Sequence, residues 1–157
     1  MPRADETQAF REFLGDPDVM NAGGVALNWR IVGPSGHDVR PASGGILENY
    51  RSCTHPTDYA ENEEIKSVVR TAHAVRPMSD PHTFEYQEGY HAIDPEKRPV
   101  TGGRHPEGAK APRWRLYHFV TKSREEYRAK MRRGSAMGNR KDMGYFDMLM
   151  DVATMQC

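Results

Sequence analysis

Between Val25 and Gly36 the chain changes character once, and that change constrains the fold more than any other feature. Val25, Leu27, Trp29 and Ile31 alternate with Ala26, Asn28, Arg30 and Val32, the period-two pattern of a β-strand with one strongly apolar face. The run ends in Gly33-Pro34-Ser35-Gly36, and His37 follows directly. Two glycines and a proline favour a tight exposed turn, so this strand is expected to deliver a loop to the surface at its end.

A second alternation places Trp114, Leu116, His118 and Val120 against Arg115, Tyr117 and Phe119, and it predicts a strand with apolar contacts on both faces. Weaker strands are expected to begin at Ile46-Leu47, to cover Ile65 to Arg70, and to run through His82, Phe84 and Tyr86. Phe10, Phe13 and Leu14 fall on one helical face before Gly15, which predicts a short amphipathic helix from Thr7 to Leu14. Ser123-Arg124-Glu125-Glu126 matches a capping box, with Gly134 placed to end the helix and Lys130, Arg132 and Arg133 in its last turn. Phe146, Leu149, Met150 and Ala153 mark a final helix. Four prolines and three glycines between Ile93 and Pro112 predict a long loop or lid. Strands and helices are interspersed, so the expected fold is one α/β domain, with α+β as the alternative, built on a mixed sheet.

At 157 residues the chain has room for one ordinary domain. Lysine plus arginine equal aspartate plus glutamate at 22 each, so net charge gives no case for a nucleic-acid or membrane partner. A mean hydropathy of -0.81 implies a thin core, to which two tryptophans, seven tyrosines and five phenylalanines can still contribute large buried areas. No apolar run approaches the ~20 residues of a membrane span, and MPRADETQ lacks the apolar segment of a signal peptide. Cys53 and Cys157 are the only cysteines, with no CxxC, and free thiols are the expectation.

None of the seven histidines forms HxH, HxxxH or HExxH, and there is no GxSxG elbow, P-loop or GxGxxG after a strand. Zinc hydrolases, serine hydrolases and P-loop enzymes are thereby disfavoured. Asp16-Pro17-Asp18 is a DxD in form, but its proline and the preceding Gly15 suit a surface turn. From Lys122 to Lys141 eight basic residues face two glutamates, a local net of +6. That stretch reads as a solvated helix face, a diphosphate site or a nucleic-acid contact, and the lack of interleaved aromatics argues against nucleic acid.

Several segments taken in order resemble a known family. Asn28-Trp29-Arg30-Ile31-Val32-Gly33-Pro34-Ser35-Gly36-His37 looks like the NWRxFGSSGH segment of glycosyltransferases of family 92 and related family 2-like proteins. Ile46 to Tyr50 resembles an IERY segment, Ile65 to Arg70 a VKSIV segment, and Pro81 to Phe84 a PHxF segment. Tyr117 to Tyr127, then Lys130 and Arg133-Gly134, is similar to HYFTKSREEF...K..RG. Val32 and Pro34 depart from the aromatic and serine usual in the turn. The similarity covers roughly Ala9 to Ala153 and corresponds to the C-terminal part of a GT-A-type domain. The family's first nucleotide-binding strands and carboxylate metal motif lie upstream of that part. The chain is therefore expected to be a partial glycosyltransferase domain over residues 1–157, either a piece of a longer enzyme or a remnant that no longer transfers sugar.

The resemblance implies transfer of a sugar from a nucleotide-sugar donor to a glycan or other hydroxyl acceptor, with Mn²⁺ or Mg²⁺ offsetting the diphosphate charge. His118 is the implied metal ligand, or else a core histidine bonded between aromatic neighbours. Lys122 and Ser123, at the start of the capped helix, are the implied diphosphate contacts, or in the case of Lys122 a surface lysine. Trp29, Arg30, Gly33, Ser35 and Gly36 are assigned to the acceptor side, Trp29 being equally suited to a core. Glu48 or His37 is the expected base for the acceptor proton. The compartment stays open between cytoplasm and secretory-pathway lumen, and an exposed strand edge in a partial sheet is expected to favour self-association.

Overall fold

The computed structural model describes residues 4–110, 113–134 and 142–157. In chain order the elements are α1 (Ala4–Leu14), α2 (Pro17–Met20), β1 (Gly24–Val32), α3 (Ile46–Asn49), β2 (Ser52–Cys53), a 3-10 turn (Ala60–Glu63) and β3 (Ile65–Val69). There follow β4 (Ala74–Pro77), β5 (Phe84–Tyr86), β6 (Ala92–Ile93), β7 (Pro99–Val100), α4 (Pro106–Lys110), β8 (Leu116–Phe119), α5 (Arg124–Arg133), α6 (Met143–Val152) and β9 (Met155–Gln156). The protein is mixed α/β with a mixed sheet and flanking helices, and it divides into two compact units.

The first unit comprises the chain up to Trp29 together with Ala60–Leu116. Here β1 pairs antiparallel with β3, from Gly24↔Val69 to Asn28↔Ile65, and parallel with β6 at Gly24↔Ala92 and Val25↔Ile93. β6 in turn pairs antiparallel with β7, and β4 with β5 forms a separate hairpin sheet. α1 and α2 supply Phe13 and Val19 to a cluster with Val25, Leu27 and Ile93, onto which Phe10 and Trp114 pack. Gly15 closes α1 by donating to Arg11 O and Glu12 O. The DxD behaves as a turn: Asp16 caps α2 through Asp18 N, and the Lys97 ammonium bridges Asp16 and Asp18.

Two expectations are corrected in this unit. β1 was expected to bury one face, yet Ala26, Ile65, Ala92 and Val100 form a second cluster on its other side. Asn28 is buried there too, its amide donating to Asn62 O, Glu63 O and His105 O. The stretch expected as an open loop from Ile93 onward is instead packed through β6, β7 and α4, with Ala111 and Pro112 outside the described residues. Asp94 explains why: its fully buried carboxylate accepts from Glu96 N, Arg98 N, Arg98 Nε and His105 Nε2 at 2.7–2.9 Å. One side chain thus ties the Pro-rich segment to itself, satisfying groups that would otherwise need water.

The second unit comprises Arg30–Tyr59 and Tyr117–Cys157. Val32 pairs with Cys53, and β2 pairs with β9 through Ser52↔Gln156 and Cys53↔Met155. Val32, Tyr50 and Cys53 cluster with Phe119, while Tyr127 of α5 and Phe146 of α6 set their rings 5.7 Å apart. The capping box forms, Ser123 Oγ accepting from Glu126 N and Glu126 Oε2 accepting from Ser123 N. Gly134 caps the other end at φ 84°. Phe146, Leu149 and Ala153 are buried as the helical spacing predicts, but Met150 is exposed.

Three readings change in this unit. Ile46 and Leu47 open a helix rather than a strand, because Gly44 at φ 81° and the extended Gly45 start the one-turn α3 and leave both side chains exposed. β8 is shorter than its alternation, and Tyr117 faces outward where contacts on both sides were expected. Cys53 and Cys157 are not free thiols but a disulfide, made possible because β9 returns beside β2 and brings their Cα atoms to 5.3 Å. Among the described residues no helix is long and apolar enough to cross a membrane.

Candidate functional site

In the first unit the indole of Trp29 is the meeting point of three distant segments. Trp29 sits late in β1, its amide donating to Glu64 O at 2.8 Å. Lys66 of β3 places Nζ 5.9 Å from the ring centroid, and the His82 ring lies 5.3 Å away at 60°. His82 precedes β5 rather than belonging to it, in a turn where Asp80 Oδ1 accepts from His82 N and Asp80 O accepts from Thr83 N. Ser67 Oγ then donates to His82 O at 2.7 Å, fastening that turn to β3.

Burial and the charge of Lys66 hold the His82 pKa below its ordinary value, against the opposing pull of Asp80 and Glu64. The imidazole is therefore neutral at pH 7, its Nδ1 buried without a hydrogen-bond partner and 3.7 Å from Asp80 Oδ1. The cluster joins an aromatic surface, a cation and a neutral hydrogen-bonding ring, a mixture suited to the CH face and hydroxyls of a sugar. Lys66 and His82 lie in segments that carry the resemblance, but nothing in their local sequence marked them as partners of Trp29.

In the second unit the glycine turn is built as expected and then used inside the fold. Ser35 at φ 53° and Gly36 at φ 78° are the central pair of a turn closed by His37 N donating to Pro34 O. The Ser35 hydroxyl accepts from both Arg51 N and Ser52 N. Gly33 is where the backbone meets α6, since a Cβ there would sit 2.5 Å from Ala153 Cβ and 3.1 Å from Leu149 O. Arg30 is buried and donates to Met155 Sδ. Of the acceptor-side residues in this turn only Gly36 remains fully exposed.

His37 Nε2 lies 2.9 Å from Asn49 O, a pure acceptor, so it carries the proton and leaves Nδ1 as the basic nitrogen. Its ring stands edge-on to Tyr50 at 5.4 Å. The Tyr50 hydroxyl donates to Glu126 at 2.6 Å. Burial raises the Glu126 pKa, but the bonds from Tyr50 and Ser123 outweigh it and leave the carboxyl below its usual range. Burial and the Glu126 carboxylate push the Tyr50 phenol up. Glu48 is exposed on α3, folded back over Gly45.

The start of α5 is closed. Arg124 N donates to His37 O, Glu125 N to Asp38 O, Glu126 N to Ser123 Oγ and Tyr127 N to Ser123 O. With Ser123 N donating to Glu126 Oε2, each of the four amides that a helix leaves unpaired at its first turn, Ser123 to Glu126, has a partner within the fold. Lys122, at φ 56°, lies 3.4 Å from Glu126, and Ser123 is buried in the cap. Arg124 pairs with Asp38 and Asp147. The remainder of the basic stretch, 135–141, lies outside the described residues.

His118 is half-buried on β8 between Tyr117 and Phe119. Among the described residues no three His, Cys, Asp or Glu side chains gather as a cation site. His118 belongs to no such group, and Mn²⁺ and Mg²⁺ prefer several oxygen ligands. No protein-family model, curated protein or solved structure matches this chain.

Proposed function

We propose that the chain is the acceptor-side part of a nucleotide-sugar glycosyltransferase of the family 92 and family 2-like lineage, with a GT-A-type fold, and that the Trp29 cluster receives an acceptor sugar. The observation that carries this reading is the convergence of the segments resembling NWR, VKSIV and PHxF on one indole, as Trp29, Lys66 and His82. A sugar bound at the indole would find the ammonium over the ring and the neutral imidazole beside it as partners for its hydroxyls. Transfer requires a base for the acceptor hydroxyl. Both candidates for that base lie in the second unit, where Asn49 O fixes the tautomer of His37 and Glu48 is exposed. The Cys53–Cys157 disulfide supports an oxidising compartment.

Titration of the purified chain with UDP and GDP, with and without Mn²⁺, and with a panel of oligosaccharides tests this reading. A bound glycan is expected to weaken about thirtyfold in Trp29→Ala, the scale of a tryptophan hot spot. Failure of every nucleotide and glycan to bind a chain with a cooperative melt would remove the proposal. The occupied amides of α5 favour a second reading, a noncatalytic glycan-binding remnant of the same fold. It predicts glycan binding that is unchanged by nucleotide or Mn²⁺.

A further inference from the structure

The first unit contains an apolar cleft of about 270 Å³, walled by Leu14, Val19, Val25, Val68 and Val69 and also lined by Arg70. Val68 is 41% exposed, so the wall reaches solvent. The position of Arg70 is set by its backbone: its amide donates to Gly23 O at 3.0 Å, and its carbonyl accepts from His73 N and Ala74 N. Its side chain is poorly matched. Nη2 donates to the Met20 thioether at 3.0 Å, a weak acceptor, and Nε is buried with no partner. Arg76, Arg98 and Arg104 in the same unit each pair with a carboxylate. Arg70 has none among the described residues.

A guanidinium with a buried, unsatisfied N–H beside an apolar wall is costly unless an anion completes it. The wall then selects what is attached to that anion. We propose that this cleft binds an anionic amphiphile, with one short alkyl chain against the valines and a carboxylate or phosphate head on Arg70. The volume corresponds to about nine waters at roughly 30 Å³ each, just below the usual range of ligand cavities. It therefore suits one short chain rather than a two-chain lipid. The Trp29 cluster takes no part, so this site stands or falls apart from the sugar-transfer reading.

The test is calorimetric titration of the purified protein with octanoate, octyl phosphate, octanol and inorganic phosphate. Saturable binding of at least one octyl anion is expected, with octanol and inorganic phosphate at least about tenfold weaker, as loss of a charge-assisted bond implies. Arg70→Gln should weaken the bound anion about tenfold or more and leave octanol unchanged. Val68→Phe, on the exposed wall, should weaken every octyl ligand, and thermal melts establish that both variants fold. The tighter of the two octyl anions identifies the head group. Absence of saturable binding, inorganic phosphate binding as tightly as octyl phosphate, or full retention of the anions by folded Arg70→Gln would each overturn the proposal.

Discussion

Reduction of the Cys53–Cys157 bond is expected to destabilise this protein more than any point substitution at its surface. The bond joins positions 104 residues apart, and a crosslink of that span lowers unfolded-chain entropy by the equivalent of about 4.7 kcal/mol at 25 °C. Typical domains have only about 5–15 kcal/mol in total. The folded side should change little: Cys53 stays in the cluster with Val32, Tyr50 and Phe119 as a small buried hydrophobe, and β9 adds two residue pairs to β2. Most of the effect therefore lies in the unfolded ensemble. With a urea slope of about 1–3 kcal/mol/M, the midpoint should fall by roughly 1.6–4.7 M in reductant or in Cys157→Ser, and the slope should steepen as the unfolded chain expands. Urea melts followed by circular dichroism, with thiol titration in parallel, read all three quantities. A loss below about 1 kcal/mol after both thiols titrate would refute the entropic argument. Two thiols titrating before any reductant is added would refute the bond.

Burial raises the Asp94 pKa, but the bonds from His105 and Arg98 outweigh it and set it below the ordinary value; its contribution is thus present above about pH 3.9 and lost as pH falls through the lower folded value. Asp94→Asn should flatten that acid limb and cost about 3 kcal/mol at neutral pH, the low end for a broken buried pair because Arg98 is 42% exposed; identical acid profiles for the two proteins would contradict this. Gly33→Ala should cost about 1–3 kcal/mol by forcing Ala153 away, whereas Gly36→Ala has open space around it and should lose about 1 kcal/mol from backbone strain alone. Denaturation midpoints that show no loss in Gly33→Ala would mean that α6 yields without cost.

How much was legible depends on how far apart the interacting groups lie. α1, the capping box of α5, Gly134, the glycine turn and β1 all follow from residues within a few positions of one another. Ile46-Leu47 misled because two apolar residues do not distinguish a strand from one helical turn, and the flanking Gly44 and Gly45 decided it. The Pro-rich stretch after Ile93 resembled a loop because composition does not reveal that Asp94 gathers Arg98 and His105 beneath it. At the Trp29 cluster the segments were visible but their meeting was not, since Lys66 and His82 reach the indole only through the pairing of β3 with β1 and the turn at Asp80.

Local chemistry determined the ends of α5, the turn from Pro34 to His37 and the strand that leads into it. Each is a bond between near neighbours or a side-chain period, and both are written directly in the order of residues. Tertiary structure decided which groups those elements spend on one another. The amides that a capped helix offers to an anion went to His37 O and Asp38 O, and the glycine expected to face an acceptor went to α6. The two cysteines met through β2 and β9. Such partners are distant along the chain, and only close packing of the folded units brings them within reach.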